Sequence, residues 1–242
     1  MTTDNMLEKL RATGWDDKVR VIPNRSTLSI EGWDKTGKSH LALTAPEPIF
    51  YIDIDDGTTG VIEKFQETKQ VFRYTMPRQS RVGKPEELQD RFSKLWEDLK
   101  TQINLALEMP SGTLVVDTAT ELYDICRLGK YGKMSQVPPN MYQVANSEMD
   151  EVMRCCNQSN LNVIVLHQLE TEFGTSEVRG KGWKNMPFKV QTTIRTGREN
   201  GKNGPSFTGE VTSCRFRPDF MGTVFEPPVL DLQMILPLIH GS

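Results

Sequence analysis

Cysteine is scarce in this sequence and no two cysteines are spaced for a ligand. The four residues, Cys126, Cys155, Cys156 and Cys214, form no CxxC pair that would begin a zinc site or a redox motif. Reduced thiols are expected. Long apolar runs are also missing: the strongest stretches, 49–52 and 163–166, fall far short of the roughly 18 residues that span a bilayer, so a membrane partner is not expected. Residues 1–5 carry neither a basic segment nor an apolar one, so the cytoplasm is the expected location. Neither charge sign dominates, with 29 Lys and Arg against 32 Asp and Glu and a net charge of −3, which removes any global pull toward nucleic acid. There is no internal repeat, no low-complexity tract and no [NT]KxD triad, so guanine specificity lacks support and adenine is the default base.

What is present is an average soluble composition, 37% hydrophobic and 25% charged, over 242 residues. That length suits one large domain with an appendage. The organisation read from it is an N-terminal segment, 1–25, holding a candidate assembly helix, and a domain over 26–242 with a basic hairpin region at 175–217. That region holds nine Lys or Arg against Glu177, Glu199 and Glu210.

Short apolar runs alternate with helical spacing. Strands are expected at 27–30, 49–52, 71–74, 113–117 and 162–166, each bounded by turn or helix signals. Helices are expected from Lys38, stopped by Pro46, and over 85–107, 120–128 and 142–156, with a Gly/Pro-punctuated loop at 129–140. Continuous apolar strands flanked by helices predict an α/β fold, a mostly parallel sheet covered on both faces. Beyond Gly174, strands at 190–195 and 207–216 read as antiparallel additions joined by a turn at 197–204. The segments 4–10 and 230–239 are candidates for assembly, with packing on their own domain the preferred reading.

Residues 32–39, Gly32-Trp33-Asp34-Lys35-Thr36-Gly37-Lys38-Ser39, match G-x-x-x-x-G-K-[ST] in full, between an expected strand and an expected helix. By chance the pattern arises in about one chain of this length per hundred, so the strand and helix on either side decide in its favour. The glycines let successive N–H groups turn inward around phosphate oxygens, and the helix from Lys38 points its positive end at the same anion. Lys38 would neutralise the β and γ phosphates, the Ser39 hydroxyl would ligate Mg²⁺, and His40 follows the loop as a further nucleotide contact. Asp117, ending an apolar strand, is the second metal-organising carboxylate. Asp53, Asp55 and Asp56 are the acids best placed to orient water, and Gln168, just past the strand at 162–166, would sense the γ phosphate beside His167.

These residues in this order, 32–39, 51–57, 114–118 and 165–168, resemble a RecA-like P-loop ATPase core. More narrowly they resemble the compact phage-encoded RecA-like ATPases that act as single-strand annealing proteins. The likeness covers about 26–169, and 214–220 is similar to a Ser-Arg-Phe type of segment near the end of such proteins. It implies Mg-ATP hydrolysis by rings or filaments of one chain on single-stranded DNA, nucleotide at subunit boundaries, and the host cytoplasm as location. A single-strand-binding protein is a further candidate partner. Where that family carries a Glu two positions after an Asp, this chain has Asp55, one methylene shorter. Gln168 falls where such cores couple the γ phosphate to DNA.

The loop after Gln168 holds Arg179, Lys181, Trp183, Lys184, Phe188 and Lys189, and a second loop holds Lys130, Tyr131 and Lys133. Basic groups pair with phosphates and aromatic faces stack on bases, so both loops are candidate DNA contacts, with a solvated basic face as the alternative. Arg215 and Arg217, two apart on an expected strand, are candidate arginine fingers, DNA contacts or salt-bridge partners. Two other functions fit the same loop: a phosphotransferase closing 73–84 over a small acceptor, and a non-catalytic module that binds nucleotide and DNA.

Overall fold

The computed structural model describes residues 3–13, 15, 25–134, 137–138, 141–172, 174–201 and 204–240. One mixed sheet organises the chain from residue 27 onward. In spatial order it runs β3 (Val71–Thr75), β2 (Ile49–Asp53), β4 (Thr113–Asp117), β5 (Asn162–Thr171), β1 (Thr27–Gly32), β7 (Thr192–Gly201), β8 (Gly204–Cys214) and β9 (Val224–Phe225). The first six are mutually parallel. β8 and β9 add antiparallel at one edge, and β6 (Val178–Gly180) pairs antiparallel with the far end of β5.

Burial on both faces explains why the central strands are apolar at consecutive positions. Ile52, Leu114, Val116, Val163 and Val165 face a layer made by α4 (Pro85–Leu107), α5 (Ala119–Tyr131) and α6 (Tyr142–Gln158). Leu28, Ile30, Tyr51, Val115, Ile164 and Leu166 face α2 (Lys38–Leu43), α3 (Ile62–Gln66) and α8 (Leu232–His240). Each large apolar side chain so buried contributes roughly 1.5–3 kcal/mol. α4 starts at Pro85, whose missing N–H costs nothing in a first turn, and its three-and-four spacing buries Leu88, Phe92, Leu95, Trp96, Leu99 and Ile103.

Several expected boundaries move. α5 continues into the expected 129–140 loop and ends at Tyr131, capped by Gly132 at φ 64°. The antiparallel hairpin is longer than its apolar pattern: the ladder runs out to Gly201 opposite Gly204 through exposed Arg198, Glu199 and Asn200, polar residues with no alternation to betray a strand. β8 stops at Cys214, because Pro218 opens a 3-10 turn, so Arg215 and Arg217 lie past the strand and not on it. The tail packs on its own domain, where α8 buries Leu232, Ile235, Leu236 and Ile239. α1 (Thr3–Ala12) is exposed at 4–9; of the N-terminal segment, 1–2, 14 and 16–24 lie outside the described residues, as does Lys202.

Candidate nucleotide site

Gly32 ends β1, the chain loops through 33–37, and α2 begins at Lys38. A Cβ on Gly32 would stand 2.2 Å from Thr196 Oγ1 and 2.4 Å from Thr36 Oγ1, so no larger residue fits. Gly37 sits at φ 91°, the left-handed region that favours glycine, beneath the Phe207 ring. The loop is tied down by Thr36, whose Oγ1 donates to Trp33 O at 2.9 Å and shares a 2.7 Å hydrogen bond with Thr196 Oγ1 of β7. Sequence spacing held no sign of Thr196, since its partnership exists only across neighbouring strands.

Lys38 Nζ donates to Gly32 O at 3.0 Å and Trp33 O at 2.7 Å. Burial pushes its pKa down, with the carboxylates of Asp117, Asp34 and Asp55 partly opposing. An ammonium held by two carbonyls and partly shielded from water is poised to exchange them for phosphate oxygens.

Asp117 ends β4 in register with Asp53 of β2. Ser39 Oγ donates to Asp117 Oδ2 at 2.8 Å, and the Tyr51 hydroxyl donates to the same oxygen. Tyr51 was missed because an aromatic inside an apolar strand reads as core; its ring is core, and its hydroxyl reaches the carboxylate. Burial raises Asp117 to about 6, further helped by Asp55 and Asp53, while the two hydroxyl donors pull the other way. Burial likewise drives the Tyr51 phenol well above 10.

These groups fit Mg²⁺. A desolvated carboxylate beside a hydroxyl and under the field of two more acids gains from a divalent cation, and no all-protein cage of three or more ligands exists among the described residues. Mg²⁺ is commonly held by one or two side chains with the rest of its shell from water and phosphate. Ser39 and Asp117 would hold it, and its chemistry would be charge neutralisation on the phosphates.

The raised Asp117 value carries a pH prediction. Its folded pKa, about 6, lies above the ordinary 3.8, so the folded state holds its proton more tightly than the unfolded one. Stability of the nucleotide-free protein should therefore fall as pH rises from about 4 to about 6, by about 3 kcal/mol, and Mg-nucleotide affinity should rise over the same window. Melts from pH 4.5 to 7.5 with and without Mg-nucleotide check this. Tyr51→Phe, which deletes a donor to the carboxylate, should move the window upward; an unmoved window would remove that role.

The phosphate loop, Asp55, Asp117 and Gln168 line one cleft of about 540 Å³, which His40 also borders, its ring edge-on to Phe65 at 4.9 Å. Asp55 accepts from Gly57 N–H at 3.0 Å, and burial raises its pKa. Gln168, in register with Gly32, is exposed in this cleft. The other two acids are spent elsewhere. Asp53 is ion-paired with Arg73 at 2.5 Å and takes the Thr58 hydroxyl; Asp56 meets Arg73 at 3.2 Å and Arg78 at 3.3 Å. His167 points to the opposite face of β5 and does not line the cleft.

The expected DNA contacts separate into two groups. Lys133, Lys181 and Lys184 are exposed. Lys130 is bound to Glu148 at 2.5 Å; although burial pushes Glu148 up, Lys130, Trp96 and Lys100 donate to it and hold it at about 2. Arg179 bridges Glu170 at 3.2 Å and Glu172 at 2.7 Å. Trp183 corrects the expectation of an open stacking face: it is 3% exposed, part of the core against α6, with its indole N–H on Asn146 at 3.1 Å. Phe188 is the exposed aromatic of that loop, at 75%. Arg215 and Arg217 sit at the end of the sheet opposite the phosphate loop, since Cys214 pairs with Thr192, which is level with Leu28 at the start of β1. Arg217 is ion-paired with Asp219 at 2.6 Å.

A family profile described as an AAA domain (AAA_24) matches residues 25–200. No curated protein matches the chain. Among solved structures the RadB recombinase superposes with a TM-score of 0.52 at 15% identity, covering 91% of each chain. The KaiC-like protein PH0186 from Pyrococcus horikoshii OT3 gives a TM-score of 0.46 at 10% identity, over 83% of this chain and 84% of that one. The first likeness shows the fold, an α/β sheet of RecA type with antiparallel strands added toward the C-terminus. No helix among the described residues is long and apolar enough to cross a membrane.

Proposed function

We propose, from the premise that this chain belongs to the AAA domain family whose profile spans residues 25–200, that it hydrolyses Mg-ATP to organise copies of itself on single-stranded DNA for annealing or recombination. The observation that carries the nucleotide part is the meeting of Lys38, Ser39, Asp55, Asp117 and Gln168 in one cleft although they come from four separate stretches of sequence. Backbone N–H groups of 33–38 and the Lys38 ammonium would cradle the triphosphate. Asp55 would hold the attacking water and take its proton as the water oxygen bonds to the γ phosphorus and the bond to the β-bridging oxygen breaks, releasing ADP. Gln168 would sense the phosphate from the strand that continues into the loop after it.

The strand part is supported by exposed Lys133, Lys181 and Lys184 on the two loops beyond the sheet, cations open to a phosphate backbone; the exposed Phe188 sits toward the other end, where its carbonyl takes Arg215 at 3.2 Å. A second reading, nucleotide and strand binding with little turnover, is favoured by the short Asp55 side chain being drawn back onto Gly57 N–H. Phosphate release measured with single-stranded DNA, duplex DNA and no DNA separates the readings. Turnover raised by the single strand supports the first, strand binding with flat turnover the second. Transfer to a small acceptor with no DNA effect would overturn both.

A further inference from the structure

On the sheet face away from the nucleotide cleft, a second cavity of about 260 Å³ lies under β6 and α7 (Met186–Lys189). Its floor is formed by three neighbouring strands: Glu31 of β1, in register with His167 of β5 on one side and Arg195 of β7 on the other. Side chains alternate along a strand, so the next residue on each, Gly32, Gln168 and Thr196, belongs to the phosphate loop, the nucleotide cleft or the tie that holds the loop.

The chemistry of the floor is specific. Arg195 Nε and Nη2 both donate to Glu31 Oε1, at 3.0 and 2.6 Å, so the pair carries no net charge. Glu31 Oε2 takes no donor among the described residues, and Glu31 is 8% exposed. His167 is 3% exposed with Nδ1 3.2 Å from Lys181 O. A carbonyl only accepts, so the proton is on Nδ1 and Nε2 carries a lone pair. That Nε2 is buried without a partner. Val178, Trp183, Met186 and Pro187 make most of the remaining wall apolar, with strand hydroxyls such as Thr193 and Thr212 beside them and Arg179 and Lys184 at the border.

Two acceptors lacking donors, a floor whose ion pair is neutral and a largely apolar wall suit a neutral flat ring bearing an amino group. A cation would find Glu31 already neutralised, and a phosphate would face a lone pair and a carboxylate. The volume is below the roughly 300–1,000 Å³ of drug-sized sites, enough for a ring system without its sugar and phosphate. We propose that this cavity receives one unstacked nucleobase with an exocyclic amino group, from a single strand crossing the loop after β5, with Lys184 at its rim meeting the backbone phosphate. The proposal rests on the single-strand reading above. Cytosine, adenine and guanine supply the amine; thymine does not.

Anisotropy titrations of the full chain with Mg²⁺ and a non-hydrolysable ATP analogue, against labelled oligo-dC and oligo-dT of equal length, test it. Wild type should bind oligo-dC about tenfold tighter. The preference should vanish, with oligo-dT affinity unchanged, in His167→Phe, which deletes the lone pair. It should vanish also in Gly180→Ala, a change on short β6 that sets a methyl 3.2 Å from Glu31 Oε2 and keeps the strand. Equal binding of the two oligomers by wild type, or a preference surviving Gly180→Ala, overturns the base pocket while leaving strand binding intact. Free deoxycytidine competing as well as the oligomer would make it a nucleoside site and overturn the strand as source. Binding of neither oligomer overturns the single-strand reading and this proposal with it.

Discussion

Lys38→Ala is expected to weaken triphosphate binding by about a hundredfold or more, equivalent to about 3 kcal/mol, while leaving the fold in place. The site explains the size. Lys38 is the half-buried cation of a cleft that holds three acids, Asp34, Asp55 and Asp117, and whose other cation, Lys35, is exposed on the loop. Without it, the polyanion would meet carboxylates with backbone N–H groups and the solvated Lys35 to receive it. The fold should survive because the ammonium contacts only Gly32 O and Trp33 O, at the mouth of the cleft where water replaces it. Titration calorimetry with Mg-ATP and a thermal melt of the nucleotide-free variant read the two parts. Full affinity would end the phosphate assignment; a collapsed melt would recast Lys38 as a strut of the loop.

Asp55→Asn should leave nucleotide affinity within about threefold and slow single-turnover hydrolysis by about 10²–10³. Among the acids following β2, Asp55 is the one still available in the cleft, because Arg73 holds Asp53 and shares Asp56 with Arg78. Its raised pKa, caused by burial, makes it a better proton acceptor near neutrality than an ordinary aspartate. Asparagine keeps the shape and the Gly57 contact and loses the basicity. An undiminished rate would exclude Asp55 as the base. Asp55→Glu, which restores a methylene of reach, should match or exceed wild type.

Much of this was legible in the sequence where function is written contiguously. Residues 32–39, between an expected strand and an expected helix, declare a phosphate loop, and Asp117 stands out as the one acid closing the run 113–116. α4 is placed from Pro85 to Leu107 by spacing alone. What the sequence hid depends on partners distant along the chain. Thr196 ties down, through Thr36, a loop 160 residues away, and Tyr51 serves Asp117 from the neighbouring strand. Lys130 and Trp183 read as surface groups in a basic stretch, yet Glu148 and Asn146 on α6 claim them. Elements of two to five residues, such as α3, β6 and β9, are too short for any period to emerge.

The strict alternation along β5 has a consequence for how the chain tolerates change in length. Leu166, His167 and Gln168 face the inner layer, the far cavity and the phosphate side through a two-residue period alone. Deleting any single position from 163 to 166 would move the imidazole to the nucleotide side and the carboxamide to the far cavity, and would exchange the apolar neighbours between two buried layers, each packed around the other set. Gains and losses here must come in twos, so variation along this strand has to proceed by substitution while insertions accumulate in the loops beyond it.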